Sequence, residues 1–225
     1  MQIPHDGEKI IIMKKYFVNF IIISSFFFVS CNGQQKDGTS SKPKDLYQAY
    51  FDAKKKFDKK YTSHFPNVVV VDSLFSLGTD SENKTLMLGG TITDIESIDD
   101  LIKQAKAVYN SSDSCQLIIN RFEADQYYDL TKLSDSDKSL IDRPCYKDKL
   151  PIPIFQNIQY ADNYTGRLFS DFALYVLDAE PGMFYKPNDK YEPDNYMPEY
   201  WEHGYSKGFA VNKSKDIAVY WIVIW

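Results

Sequence analysis

Apolar residues fall along the chain in three rhythms, and each predicts a different kind of element. The longest unbroken run is Tyr16 to Ser30, YFVNFIIISSFFFVS, fifteen residues preceded by Met13, Lys14 and Lys15. A positive start, a short apolar core and small residues at the end are the parts of a secretory signal peptide. A helix needs about 20 apolar residues to cross a bilayer. This run is shorter and carries Asn19, so it reads as a leader rather than a span. The polar stretch after it, NGQQKDGTSSKPKD, gives it no apolar partner.

The second rhythm is helical. Leu46, Tyr50, Ala53, Phe57 and Tyr61 recur at helical spacing with lysines opposite, which predicts a helix over 44–61. Pro43 suits its first turn and Pro66 marks the exit. Ile98, Leu101, Ile102, Ala105, Val108 and Tyr109 make one face of a helix over 97–109, with Ser97 and Asp100 as a variant capping box. A short helix is expected over 134–142, ahead of Pro144.

The third rhythm is β-branched and aromatic. It predicts strands over 67–72 (NVVVVD), 85–93, 116–122 and 171–178 (DFALYVLD), the last ended by Pro181-Gly182. GTDSENK, 78–84, reads as a break, and Gly89-Gly90 as a bulge or a close backbone contact. The prolines of LPIPIF, 150–155, exclude a central strand there. Gly208 to Val211 and Ile217 to Trp225 flank NKSKD as a final hairpin. IAVYWIVIW is apolar on both faces, the mark of a central strand covered on both sides. No internal repeat is present. The expected fold class is α+β, a mixed or mostly antiparallel sheet with two or three helices, in a single domain over 44–225.

The end of the apolar run adds a location. Phe28-Val29-Ser30-Cys31 resembles the lipobox of bacterial lipoproteins: a large apolar residue (most often Leu in that family), two smaller ones, then cysteine. The resemblance covers Met13 to about Gly33. It implies that Cys31 is acylated and becomes the first residue of the mature chain, with residues 1–30 removed. Two or more acyl chains make a stable anchor, each buried methylene contributing about 0.8 kcal/mol. Residues 31–43 then serve as lipidated cysteine and flexible tether. In lipoproteins, Asp after the cysteine retains the protein at the inner membrane. Asn32 therefore implies the outer membrane, with the body facing the periplasm or the cell surface. Asp6 and Glu8 are out of place ahead of a leader, so Met13 is the better start and residues 1–12 are expected not to be translated.

Composition sharpens this reading. The 195 residues left after cleavage suit one domain or two small ones. Three lysines and two acids leave with the leader, so the net charge moves from −5 to −6. Arg121, Arg143 and Arg167 are the only arginines, and the acidic balance argues against nucleic acid as a partner. Cys115 and Cys145 remain as a candidate disulfide, which an oxidising compartment would favour.

Candidate chemistry is sparse. Gly204-Tyr205-Ser206-Lys207-Gly208 fits G-x-S-x-G, but a nucleophile elbow needs a strand before it and a helix after it. Here a strand follows, and no histidine follows Ser206. Two glycines that let the chain enter the hairpin tightly are the better account. Glu199, Glu202 and His203 lack the H-E-x-x-H spacing, and Asp189, Glu192 and Asp194 lack that of an EF-hand, so no metal is expected. No phosphate loop or dinucleotide fingerprint is present, so no cofactor is expected and no catalytic residue is assigned. Asp72-Ser73-Leu74 resembles the short D-S/T-apolar acceptor motif for O-glycans.

The segment 183–205 is the most unusual stretch. Tyr191, Tyr196, Tyr200, Trp201 and Tyr205 stand there among acids and amides as candidate binding residues. They fit a loop packed down by its own aromatics, a protein hot spot or a glycan surface. Three functional readings follow. The first is a lipid-anchored envelope lipoprotein with a non-enzymatic binding domain for a protein or glycan partner. The alternatives are an immunity-type lipoprotein that neutralises a toxin, and a glycan-active or other hydrolase.

Overall fold

The computed structural model describes residues 43–70, 73–79, 84–92, 94–120, 135–155, 158–162, 165–185 and 196–225. All fall within one compact unit, Ser40–Trp225. The leader, Cys31 and the tether up to residue 42 lie outside them, as does Tyr191. The fold is α+β. Six strands form one sheet in the order β1-β2-β6-β5-β4-β3, antiparallel at every ladder. They are β1 (Leu74–Thr79), β2 (Lys84–Thr91), β3 (Ala107–Asn110), β4 (Ala173–Pro181), β5 (Gly204–Asn212) and β6 (Ile217–Ile224). The helices are α1 (Pro43–Lys55), α2 (Lys59–Thr62), α3 (Ile95–Lys103) and α4 (Asp135–Lys138).

β6 lies inside the sheet and carries apolar side chains on both faces, as its sequence requires. Ile222 and Ile224 join Leu86 and Leu88 under α1, where Tyr50, Ala53 and Phe57 are buried. Ala218 joins Phe209, Val211 and Leu177 under Ile98 of α3. On the opposite face Val219, Trp221, Val223 and Trp225 meet a layer of irregular chain that includes Leu117, Ile119, Ile152, Phe155 and Ile158. That layer holds Ile118 and Ile152 in a single parallel bridge, so 116–120 is not the strand its pattern predicts, and LPIPIF contributes only Ile152. The bridge Cys115–Cys145 ties the start of this layer to the turn Pro144–Tyr146, with the Cα atoms 6.2 Å apart.

Two tryptophans explain the glycines of G-x-S-x-G. Gly208 is paired with Trp221 across β5 and β6, and a Cβ there would lie 2.5 Å from the indole. A Cβ on Gly204 would lie 3.0 Å from the Trp225 indole. Each ring lies over backbone that has no side chain of its own, close packing that any methyl would disrupt. Ser206 lies between them, fully buried. Its hydroxyl donates to the Pro151 carbonyl at 2.6 Å and accepts the Trp221 Nε1–H at 3.3 Å. The motif is a tryptophan seat: it opens β5 and is followed by more strand, with no elbow.

Three further expectations need correction. The helix over 44–61 breaks after Lys55, because Asp58 takes an extended conformation and its carboxylate accepts the Lys60 N–H, starting α2. The run 67–70 forms no strand: Val68 is exposed, and the edge of β2 is taken by Leu74–Thr79, which had been read partly as a break. The helix over 97–109 starts at Ile95 and ends at Lys103, capped by Asp94, whose carboxylate accepts the Ser97 N–H at 3.0 Å. Val108 and Tyr109 then pair with β4, exposed and buried in strand alternation. Of the two readings of Gly89-Gly90, the close backbone contact holds: a Cβ on Gly90 would lie 3.1 Å from the Ser73 Cα, and the ladder there runs without a bulge.

Three stability effects follow. Gly208→Ala must displace the Trp221 ring and is expected to cost about 1–3 kcal/mol, the usual range for overpacking. Gly78→Ala meets only Thr85 Cβ at 3.8 Å and should be neutral or stabilising by up to about 1 kcal/mol. Urea midpoints of the two variants should therefore move in opposite directions or differ by most of that range. Reducing Cys115–Cys145, which closes a separation of 30 residues, should lower stability by roughly 3–4 kcal/mol in the same assay.

Candidate functional site

After α2 the chain turns back across the helical face of the sheet, and the segment 63–70 becomes one wall of a cleft. The floor is β2 and β6, through Leu88, Gly90, Ala218 and Tyr220. The far wall is the start of α3, through Asp94, Ser97 and Leu101. The volume is about 280 Å³.

His64 anchors the near wall. It is 7% exposed, and its Nε2 lies 3.0 Å from the Trp221 carbonyl. A carbonyl only accepts, so Nε2 carries the ring proton. Burial pushes the imidazole pKa down to about 3, with the charges of Lys207 and Lys54 adding to it and the Trp221 and Gly208 carbonyls opposing it. The ring is therefore neutral at neutral pH and Nδ1 is a bare lone pair. Among the described residues that atom has no hydrogen-bond partner.

The other polar groups of the cleft are uncharged apart from Asp94. Burial, and then the Asp94 carboxylate, push the Tyr220 phenol up to about 12, so it stays a neutral hydroxyl. No described side chain hydrogen-bonds the Tyr220 or the Ser73 hydroxyl, although Ser73 is only 5% exposed. Phe65 lies beside His64, ring centroids 4.6 Å apart, and 6.0 Å from Tyr220. Lys54 is tied up behind this wall by the Phe65 carbonyl at 3.0 Å and Asn67 Oδ1 at 3.2 Å.

The aromatic residues singled out from the sequence lie elsewhere. Trp201 is buried against Trp225 and its carbonyl accepts the Trp225 Nε1–H at 3.1 Å. Tyr205 belongs to β5, packs edge-on against Tyr61 and donates to Asp178 Oδ2 at 2.7 Å. Tyr196 is buried. Tyr200 is exposed, with its hydroxyl 3.4 Å from Asp142. These four form no common surface: three of the rings serve packing. Ser73 of the D-S-L motif packs against Gly90, only 5% exposed, at the lining of the cleft rather than on the outer surface. No three of His, Cys, Asp and Glu gather as metal ligands among the described residues. No helix among them is long and apolar enough to cross a membrane.

The cleft residues were not legible beforehand. His64 follows Tyr61 and Thr62 in an ordinary helical pattern, and Tyr220 sits in an apolar strand. Only the paired glycines 89 and 90 hinted at close contact. No family model, curated protein or solved structure matches the chain.

The histidine makes stability depend on pH. The unfolded ring protonates near its ordinary 6.5 and the folded ring near 3, so acid favours the unfolded chain first. The contribution is complete above about pH 6.5 and lost as pH falls toward 3, at roughly 1.4 kcal/mol per pH unit within that window. His64→Gln keeps an amide donor for the Trp221 carbonyl and should flatten that slope. Urea melts of both proteins across the window read the difference.

Proposed function

We propose that this chain is a lipid-anchored lipoprotein of the cell envelope, held at the outer membrane through acylated Cys31, whose body is a non-enzymatic binding domain. The observation that carries the binding reading is the cleft on the helical face. It collects the hydroxyls of Ser73 and Tyr220, which have no side-chain hydrogen-bond partner among the described residues, and such groups normally find partners once a ligand or water is present. A cleft of this kind, concave and lined by aromatic and a few polar groups, is what small-molecule recognition uses.

The hydrolase alternative draws less support. Two carboxyl groups about 5–10 Å apart are what glycoside hydrolysis needs. Asp94 is the only acid among the described residues lining the cleft, and it is occupied as a helix cap. Ser206, the one serine in a nucleophile-like motif, is sealed under Trp221. Export is supported by the Cys115–Cys145 bridge, a bond that oxidising compartments sustain.

The anchor has a direct test. Cells given a fatty-acid analogue should label the wild-type protein and leave Cys31→Ser unlabelled. Fractionation should then place the labelled form in the outer membrane and release the variant in soluble form. Equal labelling of both, or none of either, would remove the anchor.

A further inference from the structure

We propose that the cleft takes a single ring of a neutral, hydroxyl-rich ligand, a saccharide unit. This rests on the binding-domain reading and names its ligand class. Three features of the cleft select that chemistry.

The first is the set of groups without partners. Ser73 and Tyr220 offer hydroxyls that both donate and accept. Asp94 keeps acceptor capacity beyond the one bond it accepts from the Ser97 N–H. A ligand that meets this set must carry several donors and some acceptors on one small frame, which is the chemistry of vicinal hydroxyls.

The second is charge. No Lys or Arg lines the cleft among the described residues, and Lys54 is engaged by backbone carbonyls behind the wall. A phosphate or carboxylate would meet Asp94 with no cation to balance it. An amine would find Asp94 and the Tyr220 ring, but it would leave the hydroxyls of Ser73 and Tyr220 without a matching set of donors and acceptors. The neutral groups outnumber the one carboxylate, and they decide for a neutral ligand.

The third is shape. The Tyr220 ring in the floor is the aromatic surface available to the C–H face of a sugar, since Phe65 is buried behind it. The volume of about 280 Å³ sits at the small end of the range for ligand sites, which begins near 300 Å³. It admits one ring. The exposed residues Val68 and Asp94 stand at the rim, so the rest of a glycan stays outside.

The experiment is amide NMR on the mature chain, 31–225, titrated separately with D-glucose, D-galactose, N-acetylglucosamine, choline and inorganic phosphate to about 50 mM. At least one neutral sugar is expected to shift amides of 63–70, 88–92 and 94–97 saturably. Tyr220→Phe and Ser73→Ala should each weaken that sugar about three- to ten-fold, the worth of one neutral hydrogen bond, with Tm unchanged. The proposal is overturned if no sugar moves the cleft amides, if choline or phosphate saturates there and no sugar does, or if both folded variants bind as wild type. Choline binding would leave the binding-domain reading intact while refuting the ligand class. Loss of the Cys31 anchor would refute the location and leave the sugar site standing.

Discussion

Trp221 is engaged on both faces of the sheet, and most of the structure follows from that. Its indole lies over the bare backbone of Gly208 and donates to Ser206, while Phe155 meets it edge-on at 5.6 Å. Its carbonyl receives the His64 Nε2–H from the helical side. One residue therefore seats the irregular layer against β5 and β6 and also fixes the wall of the cleft. A fully buried indole is costly unless its N–H has a partner, and Ser206 supplies one by using its own proton on the Pro151 carbonyl. The glycines, the serine and the tryptophan are a single solution to one packing problem.

The cleft is what remains on the other face when two helical units cover the sheet. α1 and α2 bury Tyr50, Phe57 and Tyr61 over β2 and the end of β6. α3 buries Ile98 over β4, β5 and the start of β6. Between them the segment 63–70 bridges the gap without pairing to a strand. Its backbone is held by side chains instead: Tyr50 donates to the Pro66 carbonyl at 2.8 Å, and Lys54 reaches the Phe65 carbonyl. Those bonds use the local cation behind the wall and leave the cleft itself lined by neutral groups. The polarity of the site is thus a by-product of how its wall is held.

Much of the scaffold was legible in the residues. The terminal run IAVYWIVIW announced a strand covered on both sides, and the hairpin around NKSKD followed from it. The apolar stripe of Ile98, Leu101 and Ile102 placed α3, and the two cysteines of the body are bridged. What escaped was decided by tertiary competition. Leu74–Thr79 has the weaker strand pattern but lies at hairpin distance from β2, while the stronger run of valines at 68–70 was needed as cleft wall. Val108 and Tyr109 continued the helical stripe, yet the free edge of β4 drew them into the sheet. Aromatic density in the segment 183–205 fitted packing as well as a binding surface, and Trp201 and Tyr205 spend their rings on packing. Nothing in a one-dimensional pattern marks a histidine whose partner is the carbonyl of a residue at the far end of the chain.

The central claim is that the fold holds His64 as a neutral acceptor in the wall of the cleft. Nitrogen-15 spectra of the imidazole, recorded from about pH 8 to about pH 5, address it directly. The account expects the neutral Nε2–H tautomer throughout, with no titration in that interval. A ring that titrates near its ordinary 6.5, or one that carries its proton on Nδ1, would contradict it.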